Sequence, residues 1–335
     1  MTDAPARSYV IAEMACSHEG DESLAVRIID AAGEAGADAV QFQMWTAAEI
    51  VVAQHPDIAL LNRLELSRDT WRRLAGHVRS RWPAMQIVAC VYEPGSADFA
   101  LTLGVDAFKL HTADLSNPLL VRHVAAFGRR IDLSVGSSTL DEIADAIGWI
   151  RAASTPPIWL MYGYQNFPTR IDDVHLRFMA TLQERFGLPV GYQDHTDADD
   201  PAAFWIPAAA LGLGIRILEK HLTHDRSKKG VDHQAALNPD EFVRFVRMAR
   251  AIDTALGAGA PRPFSDDEQR YRRYSKKSIV AGRALDQGHV VTTADVAFLR
   301  ADTLGLPPAD LPRLVGRTLR HPIARHAVIT EADVA

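Results

Sequence analysis

The chain has 335 residues, 47% hydrophobic and 23% charged, with a formal net charge of −6 at pH 7. The longest apolar stretches are broken by charges or prolines well short of a bilayer span, which excludes a membrane protein, and the negative balance argues against a general binder of nucleic acid or any other polyanion. The opening MTDAPARSYVIAEMACSHEG lacks a basic segment followed by a long apolar one, and two cysteines, Cys16 and Cys90, cannot form a disulfide framework, so a soluble cytoplasmic protein is expected.

In chain order, short β-branched or apolar runs alternate with longer helical patterns from residue 8 to about residue 257. The runs are YVIAEM (9–14), AVQFQ (39–43), QIVACVY (86–92), DAFKL (106–110), IDLSV (131–135), PIWLMYG (157–163), LPVGY (188–192) and IRILEK (215–220). Amphipathic helices are predicted between them, among them 21–36, 139–153, 170–187 and 239–257, several ending at a glycine suited to a left-handed C-terminal cap. Eight β/α units predict an α/β fold of the TIM-barrel type over residues 1–258. The rival, a doubly wound open sheet, lacks its signature: the first strand runs into AEMACSHEG, not G-x-G-x-x-G. A Pro-, Gly- and Ala-rich linker is predicted over 259–273. Residues 274–335 predict a small β-rich domain whose halves echo each other in TTADV (292–296) and TEADV (330–334). At about 60 residues it is marginal alone and is expected to dock on another surface.

A TIM barrel gathers its active site at the C-terminal ends of its strands. The polar residues there are Glu13, Gln41 and Gln43, Cys90, Lys109 with His111 and Asp114, Ser134, Tyr164 with Gln165, Asp194 with His195, and Glu219 with His221. His195 and His221 follow the seventh and eighth strands, neighbours in a closed barrel. Their imidazoles either converge on one divalent cation, with Glu13 or Asp232 nearby, or are two hydrogen-bonded loop histidines. Glu13 reads as a general base, a metal ligand through water or, most plainly, an ion-pair partner. Lys109 is the internal candidate to pair with a phosphate or carboxylate, against a snorkelling surface lysine. Ser134, in LSVGSST, either caps a helix or belongs to an anion site at that helix's N-terminus. Gln41 and Gln43, two residues apart in ADAVQFQMW, share one face, and buried amides are costly without partners.

Five ordered motifs carry a resemblance: IAEMACSHEGDESLAVRIIDAAGEAGADAVQFQ, FKLHTADLSNPLL, LSVGSSTLDEI, FPTRIDDVHLRFMATLQERFGLPVGYQDHT and ILEKHLTHDRSKKGVDHQAALNPDEF. Together they resemble the sialic acid synthases, which join phosphoenolpyruvate to an open-chain N-acetylhexosamine, and the tail resembles the SAF, or antifreeze-like, domain. The resemblance implies a TIM barrel, a divalent metal such as Mn²⁺ or Mg²⁺, and a homodimer in which each SAF domain covers the partner's barrel mouth. It also implies that His195 and His221 bind the metal, that Glu13 lies near the reacting carbon, that Asp232 contacts the sugar, and that Arg300, in FLRAD, reaches toward the acyl-amino group.

Departures from that pattern fall on the phosphoenolpyruvate side. Gln41 stands where the family usually has lysine in KFQ, Cys90 for threonine, Thr112 for serine, Asp114 for glutamate, Gln165 for Asn or Ser, Phe167 for tyrosine and Gln193 for serine. Gln43, Lys109 and Ser134 are retained. One lost charge-assisted contact costs ~1.5 to 3 kcal/mol. Either other cations compensate, with Lys228 and Lys229 as candidates, or the nucleophile is less charged. The expected function is a metal-dependent condensation of phosphoenolpyruvate with an aldose, an N-acylated hexosamine in the first instance. The alternatives are a phosphate-free aldol or lyase reaction on a sugar-like substrate, and a non-catalytic sugar-binding homologue.

Overall fold

The computed structural model describes residues 5–335. Two compact units divide the chain, Met1–Gly257 and Ala258–Ala335.

In the first unit the apolar runs become β1 (Tyr9–Glu13), β2 (Ala39–Met44), β3 (Gln86–Val91), β4 (Ala107–Leu110), β5 (Arg130–Ser134), β6 (Ile158–Tyr162), β7 (Val190–Asp194) and β8 (Ile217–His221). All neighbours pair in parallel, and β1 closes on β8 with Glu13 opposite His221. Such strands are covered on both faces, which is why they read as nearly unbroken apolar runs. A main helix follows each strand: Glu22–Ala35, Arg68–Arg81, Pro94–Thr102, Pro118–Ala125, Leu140–Ala153, Phe178–Phe186, Ala202–Gly212 and Pro239–Leu256. Local chemistry sets their ends. Asp21 accepts from the Ser23 and Leu24 amides at the start of the first, and Gly36 takes a left-handed conformation at its end.

Alternation along each strand sends one set of side chains outward to the helices and the other into the barrel. Ile11, Ala39, Val88, Ala107, Trp159, Met161 and Ile217 fill the interior at mid-height. The small Ala39 and Ala107 leave room for Trp159. Toward the N-terminal ends, Arg130 pairs with Asp132 at 2.8 Å and lies 3.9 Å over the Trp159 ring, while Tyr9 bonds Gln86 at 2.5 Å. The floor of the barrel is thus a packed and hydrogen-bonded plug, and any cavity has to open at the other end.

Two local predictions need correction. The helix expected over 170–187 is a 3₁₀ turn at Ile171–Asp173 and an α-helix only at Phe178–Phe186, because His175 has φ of 47° and breaks the pattern between them. The linker expected over 259–273 is helical from Asp266 to Ser275, where Ser265 and Glu268 form a capping box that outweighs the Pro- and Gly-rich run before it.

In the second unit β9 (Ser278–Ala281) pairs antiparallel with β10 (Val296–Leu299). Ile279, Leu285, Val291, Leu319, Ile323, Ile329 and Val334 are among its core residues. The repeated T-x-A-D-V motif has a structural counterpart. Thr292 with Asp295 and Thr330 with Asp333 each close a capping box, and each aspartate takes a histidine, His289 at 2.8 Å and His321 at 2.7 Å.

Candidate active site

At the C-terminal ends of the strands lies a cavity of about 190 Å³. Each contributor sits at an inward-facing strand end or in the loop just beyond it. Glu13 comes from β1, Gln43 from β2, Lys109 from β4, Ser134 from β5, Gln193 from β7 and Glu219 and His221 from β8, with Gln165, Phe167, His195 and Asp232 from the following loops.

The centre of the site is an ion cluster. Lys109 Nζ lies 2.5 Å from Glu219 Oε1 and 3.8 Å from Glu13 Oε2, and all three side chains are at most 5% exposed. Burial acts to lower Lys109, but Glu219 and then Glu13 outweigh it and hold the ammonium above the ordinary lysine range. Burial pushes the Glu13 carboxyl up to about 8 against the opposing pull of Lys109, and Glu219 is also raised by burial. Glu13 is oriented on both oxygens: Oε1 accepts from the Ala15 amide at 2.6 Å, and Oε2 accepts from Gln41 Nε2. Glu219 Oε2 has no hydrogen-bond partner.

His195 and His221 form the second group, with ring centroids 5.2 Å apart. The His195 Nδ1–H donates to the Tyr164 carbonyl at 2.9 Å, which leaves Nε2 with its lone pair. His221 Nδ1 is buried without a partner. Burial lowers His195 to about 4 and holds His221 well below the usual imidazole range, so both rings are neutral at pH 7. Phe167 packs on both, at 4.4 and 5.9 Å between centroids. Two neutral imidazoles, one with its tautomer set by a backbone carbonyl and one with an unsatisfied buried nitrogen, are a fitting donor set for a divalent transition metal. No group of three or more His, Cys, Asp or Glu side chains suited to a metal occurs among the described residues, so the other ligands would be substrate and water.

A loop after β8 brings in Asp232. Glu19 Oε1 accepts from the Val231 amide at 2.7 Å, and a Cβ at Gly230 would overlap that same carboxylate. A side chain at 230 would therefore have to displace the Glu19 carboxylate that holds the Val231 amide, and Asp232 follows with φ of 60°. On the opposite wall Ser134 Oγ donates to Gln193 Oε1 at 2.9 Å and accepts from Gln193 Nε2 at 3.1 Å. The serine hydroxyl is thus satisfied by the longer side chain that stands in place of the family's usual serine.

Several predicted site residues lie elsewhere. Gln41 is fully buried and sits behind Glu13, bonded to it, and does not line the cavity. Cys90 is fully buried in register between Gln43 and Lys109, its thiol pushed up to about 12 by burial. Thr112 donates to the Gly136 carbonyl, and Asp114 accepts from Asn117 at 3.2 Å, so both serve loop structure. Arg300 belongs to the C-terminal unit, next to the end of β10. Lys228 and Lys229 are exposed and are not among the lining residues, and neighbouring Arg226 is engaged by Asp199 and Glu241. Asp194, another strand-end carboxylate, points outward and pairs with Lys220 at 2.7 Å.

The cavity also holds Tyr92, His111 and Glu219. The last two stood among the strand-end polar residues with no role attached. Tyr92 was legible only from the alternation of QIVACVY, which places it on the same face as Cys90. Its hydroxyl donates to Gln43 Oε1 at 3.3 Å.

Comparison with known proteins agrees with this architecture. The family model described as NeuB family matches residues 28–261, and that of the SAF domain matches residues 276–335. The chain is 32% identical over 329 residues to the N,N'-diacetyllegionaminic acid synthase of Legionella pneumophila, covering 93% of this chain and 90% of that one. It is 27% identical over 328 residues to human N-acetylneuraminate-9-phosphate synthase, covering 92% and 88%. Among solved structures, the N-acetylneuraminic acid synthetase of Leptospira borgpetersenii in complex with citrate superposes with a TM-score of 0.72 at 27% identity, over 79% of this chain and 91% of that one. With an eight-stranded barrel, a C-terminal SAF domain and relatives of this kind along most of its length, the chain belongs to the NeuB family.

Proposed function

We propose that the protein is a cytoplasmic, metal-dependent synthase that condenses phosphoenolpyruvate with an aldose, in the first instance an N-acylated hexosamine. The products are a 2-keto-3-deoxy sugar acid and inorganic phosphate. The observation that carries this reading is the convergence, in one cavity, of two neutral imidazoles and the Glu13–Lys109–Glu219 cluster. His195 and His221 would hold Mn²⁺ or Mg²⁺, which when bound supplies a Lewis acid for the sugar aldehyde.

The chain's own residues do the rest. Glu13, held on both oxygens and with its carboxyl raised toward neutrality, is suited to keep or take a proton where water adds to the enolpyruvate carbon. Asp232, on the cavity wall, would accept hydrogen bonds from sugar hydroxyls, and Lys109 would stabilise negative charge developing at the cluster. Arg300 is assigned to the acyl-amino group from a partner subunit's SAF domain, in a homodimer. Phosphate release from phosphoenolpyruvate with Mn²⁺ and a panel of hexosamines tests the proposal. No release with any sugar, while Mn²⁺ is bound, refutes it.

One observation favours a second reading, a phosphate-free aldol or lyase reaction on a sugar-like substrate. Lys109 is the one lysine or arginine among the cavity's lining residues, and it is already paired. A carbon–carbon bond-forming product made from pyruvate, with no dependence on phosphoenolpyruvate, would select this reading.

A further inference from the structure

The cavity's charge balance has a consequence for how it takes an anion. Against the Lys109 ammonium stand Glu219 at 2.5 Å, Glu13 at 3.8 Å and, farther along the wall, Asp232. Whether or not Glu13 carries a proton, the lysine is matched by Glu219 and a carboxylate remains. No net positive charge from side chains faces the cavity. Among the neutral lining groups, Ser134 and Gln193 bond each other and Tyr92 donates to Gln43, and none of them brings a charge to set against an anion. Gln41, at the position of the family's usual lysine, spends its amide N–H on Glu13 and lies outside the lining. The exposed Lys228 and Lys229 are not lining residues either. A ligand bearing two or three negative charges is therefore repelled by the side chains it would meet. His195 and His221, two neutral imidazoles on this cavity, offer nitrogen donors that could hold a compensating cation.

We infer that this chain takes an anionic donor only with, or after, a divalent cation bound at His195 and His221, so that the charge opposing the donor is the metal's and not a side chain's. This rests on the metal reading given above. It assigns to the replacement of lysine by Gln41 a definite result: anion affinity in this protein is conditional on metal.

The test uses the full chain, stripped with chelator and dialysed, beside the same protein loaded with just-saturating Mn²⁺, with occupancy counted by electron paramagnetic resonance. Phosphoenolpyruvate and inorganic phosphate are titrated into both by calorimetry. The expected result is at least about tenfold tighter binding to the loaded protein, the size of one charge-assisted contact. Two variants remove the block from the side-chain side. Gln41→Lys sets a cation against Glu13 from behind the lining, which removes that carboxylate from the balance, and Glu219→Gln releases Lys109 from its nearest partner. Each, if folded by circular dichroism, is expected to bind inorganic phosphate in the stripped state at least about tenfold more tightly than the parent chain.

Equal phosphoenolpyruvate affinity with and without Mn²⁺ overturns the inference and leaves the synthase reading standing. Failure of phosphoenolpyruvate to bind the loaded protein overturns both and points to a phosphate-free donor. Failure of Mn²⁺ to bind also overturns the inference. If both folded variants stay as weak as the parent in the stripped state, the charge argument is wrong.

Discussion

Replacing Lys109 by methionine, similar in length and uncharged, leaves Glu13 and Glu219 in the barrel with no cation between them. The two contacts removed are 2.5 and 3.8 Å long and almost completely buried. At an effective dielectric constant of about 20 the 2.5 Å contact with Glu219 corresponds to roughly 7 kcal/mol of attraction, and the 3.8 Å contact adds its roughly 4 kcal/mol only to the extent that Glu13 is ionised. Against this, methionine avoids the desolvation of an ammonium, several kcal/mol, and one carboxyl can relieve the repulsion by taking a proton. The net loss expected is about 3–5 kcal/mol, as for other buried pairs broken on one side. For a unit of this size the barrel's thermal midpoint should fall by roughly 6–20 °C. Urea unfolding of the full chain, followed through the barrel transition, gives the free energy directly. Lys109→Met combined with Glu219→Gln should recover at least about 1.5 kcal/mol of the loss, because the second change removes the carboxylate left without its partner. A single variant within about 1 kcal/mol of the parent would refute the reasoning, since the cluster would then behave as a solvated surface pair.

Other expectations follow from the same geometry. His195→Ala and His221→Ala should each weaken Mn²⁺ binding by at least about a hundredfold, read by electron paramagnetic resonance, and unchanged binding in either would remove that residue from the metal site. Because His195 is lowered to about 4 and His221 is also held low, protons do not compete with the metal at neutrality. Mn²⁺ affinity should stay flat as pH falls to about 5 and drop only toward 4, whereas a midpoint near 6.5 would contradict the burial argument. Glu13 rises from 4.5 to about 8 on folding, so its neutral form is favoured in the barrel. Its stabilising contribution is full below pH 4.5 and is lost as pH rises through 8, and Glu13→Gln should abolish about 2 kcal/mol of the stability lost between pH 6 and 9. Gly163→Ala places a Cβ against the Gln193 carbonyl oxygen and should cost about 1–3 kcal/mol by urea unfolding, and a neutral result would mean that β6 and β7 can separate there.

Much of the fold is local chemistry repeated. Runs such as QIVACV and IWLMY are apolar because both faces of a parallel strand are covered, and Asp21, Thr139 and Ser67 bond the first amides of the helices they precede. Strand alternation also sorts inward from outward residues without reference to the rest of the chain, which places Glu13, Lys109, Gln193 and His221 at the barrel mouth. The helix at Asp266–Ser275 was hidden because prolines and glycines just before it dominate its neighbourhood, although the Ser265 and Glu268 capping pair was present in the sequence.

Partnership inside the mouth is another matter. Lys109 and Glu219 are 110 positions apart, and nothing local to either says that they meet. Their contact depends on how the strands tilt and stagger as the sheet closes, which is a property of all eight together. The same holds for Gln41. Its sequence position and its family counterpart place it toward a ligand, whereas the closed barrel sets it behind Glu13, its amide donating to that carboxylate. Residue order alone specifies which segments form strands, which side chains face inward and which two histidines crown adjacent strands. That the one lining lysine is already paired comes from the closed barrel, because charge matching across a barrel depends on side-chain reach over distances that no linear spacing encodes.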